Sequence, residues 1–220
     1  MPRTKLAALL CGVVLVGCIY KKEPAPVIVG PTAVSRAEVA PVVSAVTVVA
    51  PSPAEPVLPE VPQSWLPQTK YERPWTAIVI HHSATSVGNA EIFDRWHREE
   101  NQWDEVGYDF VIGNGSDSAD GTVEVTFRWE QQRTGAHCAG TPDNWANEKA
   151  VGICLVGDFT QNRPTSAQLR ALTRLVRFLQ QRYGIPSERV YGHGTKPGAR
   201  STQCPGRLFP LAQFKATLSR

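Results

Sequence analysis

This 220-residue chain has no apolar run long enough to cross a bilayer comfortably. Its most hydrophobic stretch, residues 6–17 (LAALLCGVVLVG), is only 12 residues long and suits the core of a signal peptide better than a membrane span. It also lacks a strong charge of either sign. Twenty-three Lys and Arg face 20 Asp and Glu, a formal net charge of +3. Removing the leader, with Arg3 and Lys5, leaves 21 against 20, or +1. So balanced a chain gives no support for nucleic-acid binding. There are no internal repeats. No His-Glu-x-x-His helix motif is present, which argues against the common metallopeptidase arrangement.

Cysteine is scarce, and its count is informative. Of five, Cys11 lies in the leader and Cys18 closes it, leaving Cys138, Cys154 and Cys204. An odd number in an exported chain leaves at least one without an intrachain partner. Cys138 and Cys154 are then a possible disulfide or two free thiols, with Cys154 buried in an apolar strand. The leader begins with a basic segment, residues 1–5, and ends in LVGC (15–18). This resembles a bacterial lipobox, which implies lipidation at Cys18. Ile19 follows it rather than Asp, which by the same resemblance favours the outer membrane, facing the periplasm. Domain boundaries are expected at 1–17 (signal peptide), 18–64 (lipidated cysteine and linker) and 65–220 (folded domain).

Nine of the 18 prolines fall between residues 19 and 64. Proline interrupts every element that could start there, so a disordered, extended linker is expected. Such a segment reaches on the order of 100 Å when extended, at about 3.1 Å per residue. Beyond it the pattern changes. Residues 76–80, 108–112, 122–127, 151–156 and 189–191 read as strands. Residues 89–101 and 165–183 read as helices, and a last helix is expected from about Leu208. Thr165 and Gln168 have capping-box spacing, and Leu169, Leu172, Val176, Leu179 and Tyr183 form an apolar stripe. Strands alternating with helices predict an α/β fold with a central mixed sheet flanked by helices.

His81 ends the first strand, His193 follows the last, and Cys204 lies eleven residues further on. Two imidazoles and a thiolate suit Zn2+, and three protein ligands leave a fourth position open, as in hydrolytic rather than structural sites. His82 is the rival to His81. Neighbouring strand residues face opposite sides, so only one of the two can serve.

Six blocks carry a family resemblance: IHHSAT (80–85), WH (96–97) with QWDEVGYDFVI (102–112), TGAHCAG (134–140), VGICLVGDF (151–159), YGH (191–193) and STQCPG (201–206). They resemble, in order, the N-acetylmuramoyl-L-alanine amidases related to peptidoglycan recognition proteins and phage amidase-type lysozymes. The resemblance implies that fold, a zinc ion on His81, His193 and Cys204, and hydrolysis of the amide between N-acetylmuramic acid and L-alanine in peptidoglycan or muropeptides. It implies Tyr108 as a catalytic group and Thr202 as a weaker helper, since lysine occupies that position in some relatives. A packed strand tyrosine and a loop threonine bonded to its own backbone are the plain alternatives. It places His137 near the substrate groove, where a substrate contact and a structural hydrogen bond are both open. Lys196 and Arg200, in a loop that looks longer than in close relatives, are further candidates for reaching substrate. His97 is expected to be structural, and Trp103 and Trp145 to be core rather than groove. Cytosolic relatives have a glutamate and an aspartate where Cys154 and Cys204 stand, so no carboxylate base is expected. The expected partners are the wall substrate and, through the lipid, a membrane; the expected state is a monomer. The alternative function is a non-catalytic peptidoglycan-binding module. Relatives that have lost hydrolysis typically lack the third ligand, which is present here.

Overall fold

The computed structural model describes residues 61–67, 70, 72–99 and 105–218, all within one compact unit, Pro56–Arg220. The leader, Cys18, the linker up to residue 60 and Trp103 lie outside the described residues.

Five strands form one sheet in the order β3-β2-β4-β1-β5. They are β1 (Ala77–His82), β2 (Phe110–Ile112), β3 (Val123–Val125), β4 (Ala150–Leu155) and β5 (Val190–Gly192). β1 runs parallel to β4 and β5, and β2 parallel to β4; only the edge strand β3 is antiparallel. The helices are α1 (Ala90–Glu99), α2 (Phe127–Glu130), α3 (Trp145–Lys149), α4 (Ser166–Tyr183) and α5 (Leu211–Leu218). The expected mixed sheet flanked by helices is therefore present.

The two central strands, β1 and β4, are buried along their whole length, as their near-continuous apolar sequences require. Alternation then divides their side chains between two faces. Ile78, Ile80, Val151, Ile153, Leu155, Phe110 and Ile112 face the main core with Leu172, Leu175, Val176 and Leu179 of α4 and Phe214 of α5. Each fully buried leucine here contributes about 1.5–3 kcal/mol. Ala77, Val79 and Ala150 face the other way, against Cys138 and Ala146. Val111 and Cys154 also lie there, packed with Phe93 of α1.

α4 forms as its sequence requires. The Gln168 amide donates to Thr165 Oγ1 (3.0 Å), and the Thr165 amide donates to Gln168 Oε1 (3.1 Å). Gly184 ends the helix at φ 65°, a left-handed turn that glycine enters without strain. Buried Gln168 also donates from Nε2 to the carbonyls of Val156 (2.8 Å) and Ile112 (3.2 Å), tying the helix start to two strand ends.

Most strand boundaries shift by one or two residues from the expectation, and three differences have a visible cause. β3 stops at Val125. Thr126 is held by its amide to Asp109 O and its hydroxyl to Tyr108 O, and α2 starts immediately after it. β2 begins at Phe110 instead of 108: the Asp109 amide donates to Gly152 O (2.9 Å), but the Gly152 amide returns to the Asp109 side chain, Oδ2, at 2.7 Å. α5 starts at Leu211 rather than near Leu208, since Pro210 disfavours helical geometry in the residue before it. Helix α3 has no apolar stripe long enough to reveal it in the sequence. The three described cysteines are all free, so Cys138 and Cys154 do not form the disulfide that their count allowed.

Candidate metal centre

The parallel strands β1, β4 and β5 end together, and the chain leaves the sheet there. Open α/β sheets commonly bind ligands at such carboxyl ends. His81 is the fifth residue of β1, and His193 immediately follows β5. The loop after it returns through Gly194, whose amide donates to Cys204 O at 2.8 Å. The ligand atoms of His81, His193 and Cys204 all lie within 4.8 Å of one another. The His81 and His193 rings are 4.6 Å apart, centre to centre, and Cys204 Sγ is 3.7 Å from His81 Nδ1.

This donor set fits zinc. A tetrahedral ion with Zn–S of about 2.3 Å and Zn–N of about 2.0–2.1 Å has an S···N edge of about 3.6 Å, close to the observed separation. The electrostatics fit as well. Burial first, then the neighbouring His137 and His193 rings, hold His81 well below the usual imidazole range. Burial and Lys196 bring His193 down to about 4. Both rings are thus neutral near pH 7, with lone pairs available. Burial pushes the Cys204 thiol up to about 11, opposed by the His82 backbone N–H and Lys196. Nearby positive charge would favour its thiolate.

His82 is engaged elsewhere. Its Nδ1 accepts from the Phe159 amide (3.1 Å), and its ring lies 5.9 Å from that of Phe159 on the main-core side. Alternation along β1 thus separates the two histidines as expected.

A cleft of about 540 Å³ opens over the cluster, lined among others by Tyr108, His97, His137, Asn147 and Thr202. Among the described residues, no carboxylate lines it. The Tyr108 ring is 5.2 Å from that of His81. Burial, then proximity to Cys154, pushes its phenol well above the usual tyrosine range, so it keeps its proton. Exposed Thr202 accepts the Cys204 amide at Oγ1 (3.2 Å), bracing the ligand loop while also lining the cleft. His137 is 7% exposed, and its ring nitrogens face His81 and the Ala150 carbonyl. Half-buried His97 accepts the Gly107 amide and sits 5.8 Å from the Tyr108 ring. Trp145 packs on Tyr191 and donates to Pro197 O. Lys196, only 2% exposed, turns back to donate to the His193 carbonyl (3.3 Å), whereas Arg200 is exposed and lies against Gly140.

Asn147 escaped the sequence reading. Its Oδ1 accepts the amides of His137 (3.0 Å) and Cys138 (2.9 Å), and its Nδ2 donates to Cys138 O (2.8 Å). Only the return of α3 past residues 137–138 reveals it. The adjacency of His137 and Cys138 was the one available signal for that clamp.

A mixed sheet with a partly buried His-His-Cys cluster under an open cleft defines an α/β domain with a candidate metal site. The family described as N-acetylmuramoyl-L-alanine amidase matches residues 71–207, and the chain belongs to that family. Peptidoglycan-recognition protein SC2 of Drosophila melanogaster is 32% identical over 137 residues, 58% of this chain and 66% of that protein. N-acetylmuramoyl-L-alanine amidase of Sus scrofa is 30% identical over 141 residues, 59% of this chain but only 21% of that protein. The chain therefore spans less than two thirds of either relative. Among solved structures, the endolysin N-acetylmuramoyl-L-alanine amidase LysCS from Clostridium intestinale URNW superposes with a TM-score of 0.55 at 28% identity, covering 66% of this chain and 86% of that one.

Proposed function

We propose that this chain is a zinc-dependent amidase that cleaves the bond between N-acetylmuramic acid and L-alanine in peptidoglycan or muropeptides. The observation that carries it is the convergence of His81, His193 and Cys204 within 4.8 Å beneath an open cleft, in a member of this family. His81, His193 and Cys204 would hold the ion. When bound there, zinc supplies Lewis acidity toward an amide carbonyl and makes water more acidic. Tyr108 Oη, kept protonated by its buried setting, donates a hydrogen bond to the oxygen that gains charge during attack. Thr202 adds a neutral donor at the cleft edge and steadies the Cys204 loop. The burial of His81, 1% exposed, lowers the local dielectric and strengthens both interactions.

The test uses full-length protein and a muramyl peptide, with and without a chelator. The expected result is a new free L-Ala amino terminus that appears only without chelator, and a rate about 10²–10³-fold lower in Tyr108→Phe. Substrate binding without any cleavage would instead identify a recognition module. The LVGC pattern supports a further part of the proposal: a lipid on Cys18 that anchors a monomeric enzyme to the outer membrane, facing the wall. Radiolabelled palmitate incorporated by the parent but not by Cys18→Ser is the expected result, and equal labelling of both would refute the anchor.

A further inference from the structure

His137 lies beside the His81–His193–Cys204 cluster, and with His81 and Cys138 it forms a second, fully buried group whose ligand atoms also lie within 4.8 Å of one another. Its Nε2 is 3.3 Å from the Ala150 carbonyl. A carbonyl oxygen only accepts, so this nitrogen carries the hydrogen. In a neutral ring Nδ1 is then a bare acceptor. Two groups address it: His81 Nε2 at 3.0 Å and Cys138 Sγ at 3.2 Å. That nitrogen has one lone pair and takes one hydrogen well. Two bare nitrogens 3.0 Å apart would repel, so His81, the nearer group, carries its hydrogen on Nε2. A neutral His81 consequently has no hydrogen on Nδ1, the atom 3.7 Å from Cys204 Sγ.

The surroundings hold His137 in this position. Asn147 pins its backbone, as described above. Added side chains at Gly135 or Gly152 would meet its ring at 2.6 and 2.5 Å, so both glycines leave the space the ring fills. A charged His137 would be a buried cation among two further imidazoles, a costly arrangement.

We propose that His137 is a positioning residue: it accepts the Nε2 hydrogen of His81, donates its own to Ala150 O, and so fixes His81 in the tautomer that offers Nδ1 to the ion. Metal-bound histidines usually have their other nitrogen anchored in this way, by a carboxylate, a carbonyl or water. Here an imidazole takes that place, itself anchored by a backbone carbonyl. The inference rests on the zinc reading for its consequence, but the hydrogen bond exists without the metal.

The experiment is nitrogen NMR of the metal-free, full-length protein with labelled histidine, His81 being identified by loss of its signals in His81→Gln. The expected spectrum shows His81 protonated at Nε2 and bare at Nδ1, with Nδ1 shifting when zinc is added. His137→Leu removes both partners and is expected to weaken zinc binding about 10–100-fold. His137→Gln keeps an acceptor and a donor and is expected to recover most of that loss. A hydrogen on Nδ1 of His81 in the parent overturns the proposal. So does unchanged zinc affinity in His137→Leu accompanied by a raised KM, which would make His137 a substrate contact. Should the leucine variant not fold, the parent spectrum and the glutamine variant still decide. A parent that takes up no zinc refutes the proposed function, while its metal-free spectrum still decides the tautomer.

Discussion

The two faces of β1 present opposite designs one residue apart. On one side Ile78, Ile80 and His82 meet the large side chains under α4 and α5, and even the His82 ring lies against that of Phe159. On the other, Ala77, Val79 and His81 meet small or polar residues: Ala150, Gly152 and Cys154 of β4, then His137 and Cys138. Large apolar side chains fill one face to native density and supply stability. Small ones on the other leave room for imidazole rings, a thiol and a cleft. The strand's own pleat, with its period of two, allows stability and chemistry to occupy the same segment without sharing volume.

That division can be broken from either side. The largest expected effect is on the small face: Cys204→Ala should abolish stoichiometric zinc and lower amidase activity by about 10³-fold or more. Elemental analysis and rate measurement check this, and the thermal midpoint in chelator should stay close to that of chelator-treated parent. On the large face, Leu175→Ala should cost about 2–5 kcal/mol in urea unfolding, with zinc content of the folded fraction unchanged. A loss of zinc there would show that the two faces are coupled.

Asp109 sharpens the comparison at their boundary, since its carboxylate stands in the β2–β4 ladder. It is fully buried, one oxygen has no hydrogen-bond partner, and burial raises it to about 7 from an ordinary 3.8. Between those values the folded state holds a proton that the unfolded state has released. The stability from this group is therefore complete below about pH 3.8 and is lost as pH rises through about 7. Unfolding free energies of parent and Asp109→Asn, compared across that window, should show a fall of a few kcal/mol in the parent that the variant lacks. The smallest effect belongs to the helix cap: Thr165→Ala should cost about 1 kcal/mol in urea unfolding and leave zinc affinity and activity unchanged.

Much of the fold was legible before any coordinates. The long α4 carries its period, its capping box and its terminal glycine within nineteen residues, 166–184, and its cap partner immediately before. β1 and β4 stand out because buried parallel strands are continuously apolar. Short elements were harder. α3 and α2 are five and four residues long, too short for a period to accumulate, and both depend on loop contacts. Strand ends at Asp109 and Thr126 were missed because the deciding hydrogen bonds come from a residue on another element.

At the site, the distinct residue types and the family blocks singled out His81, His193 and Cys204. They could not show which nitrogen of His81 faces Cys204, nor that His137 takes up the other. The sequence alone determined the donor types, the strand alternation that sends His81 and His82 apart, and the apolar segments that must pair. The tertiary structure alone decided which hydrogen-bonding groups meet across the fold: Ala150 O with His137, His137 with His81, Asn147 with the 137–138 backbone. Those pairings join elements far apart in sequence, and their partner and direction depend on distances of a few ångströms that no local pattern encodes.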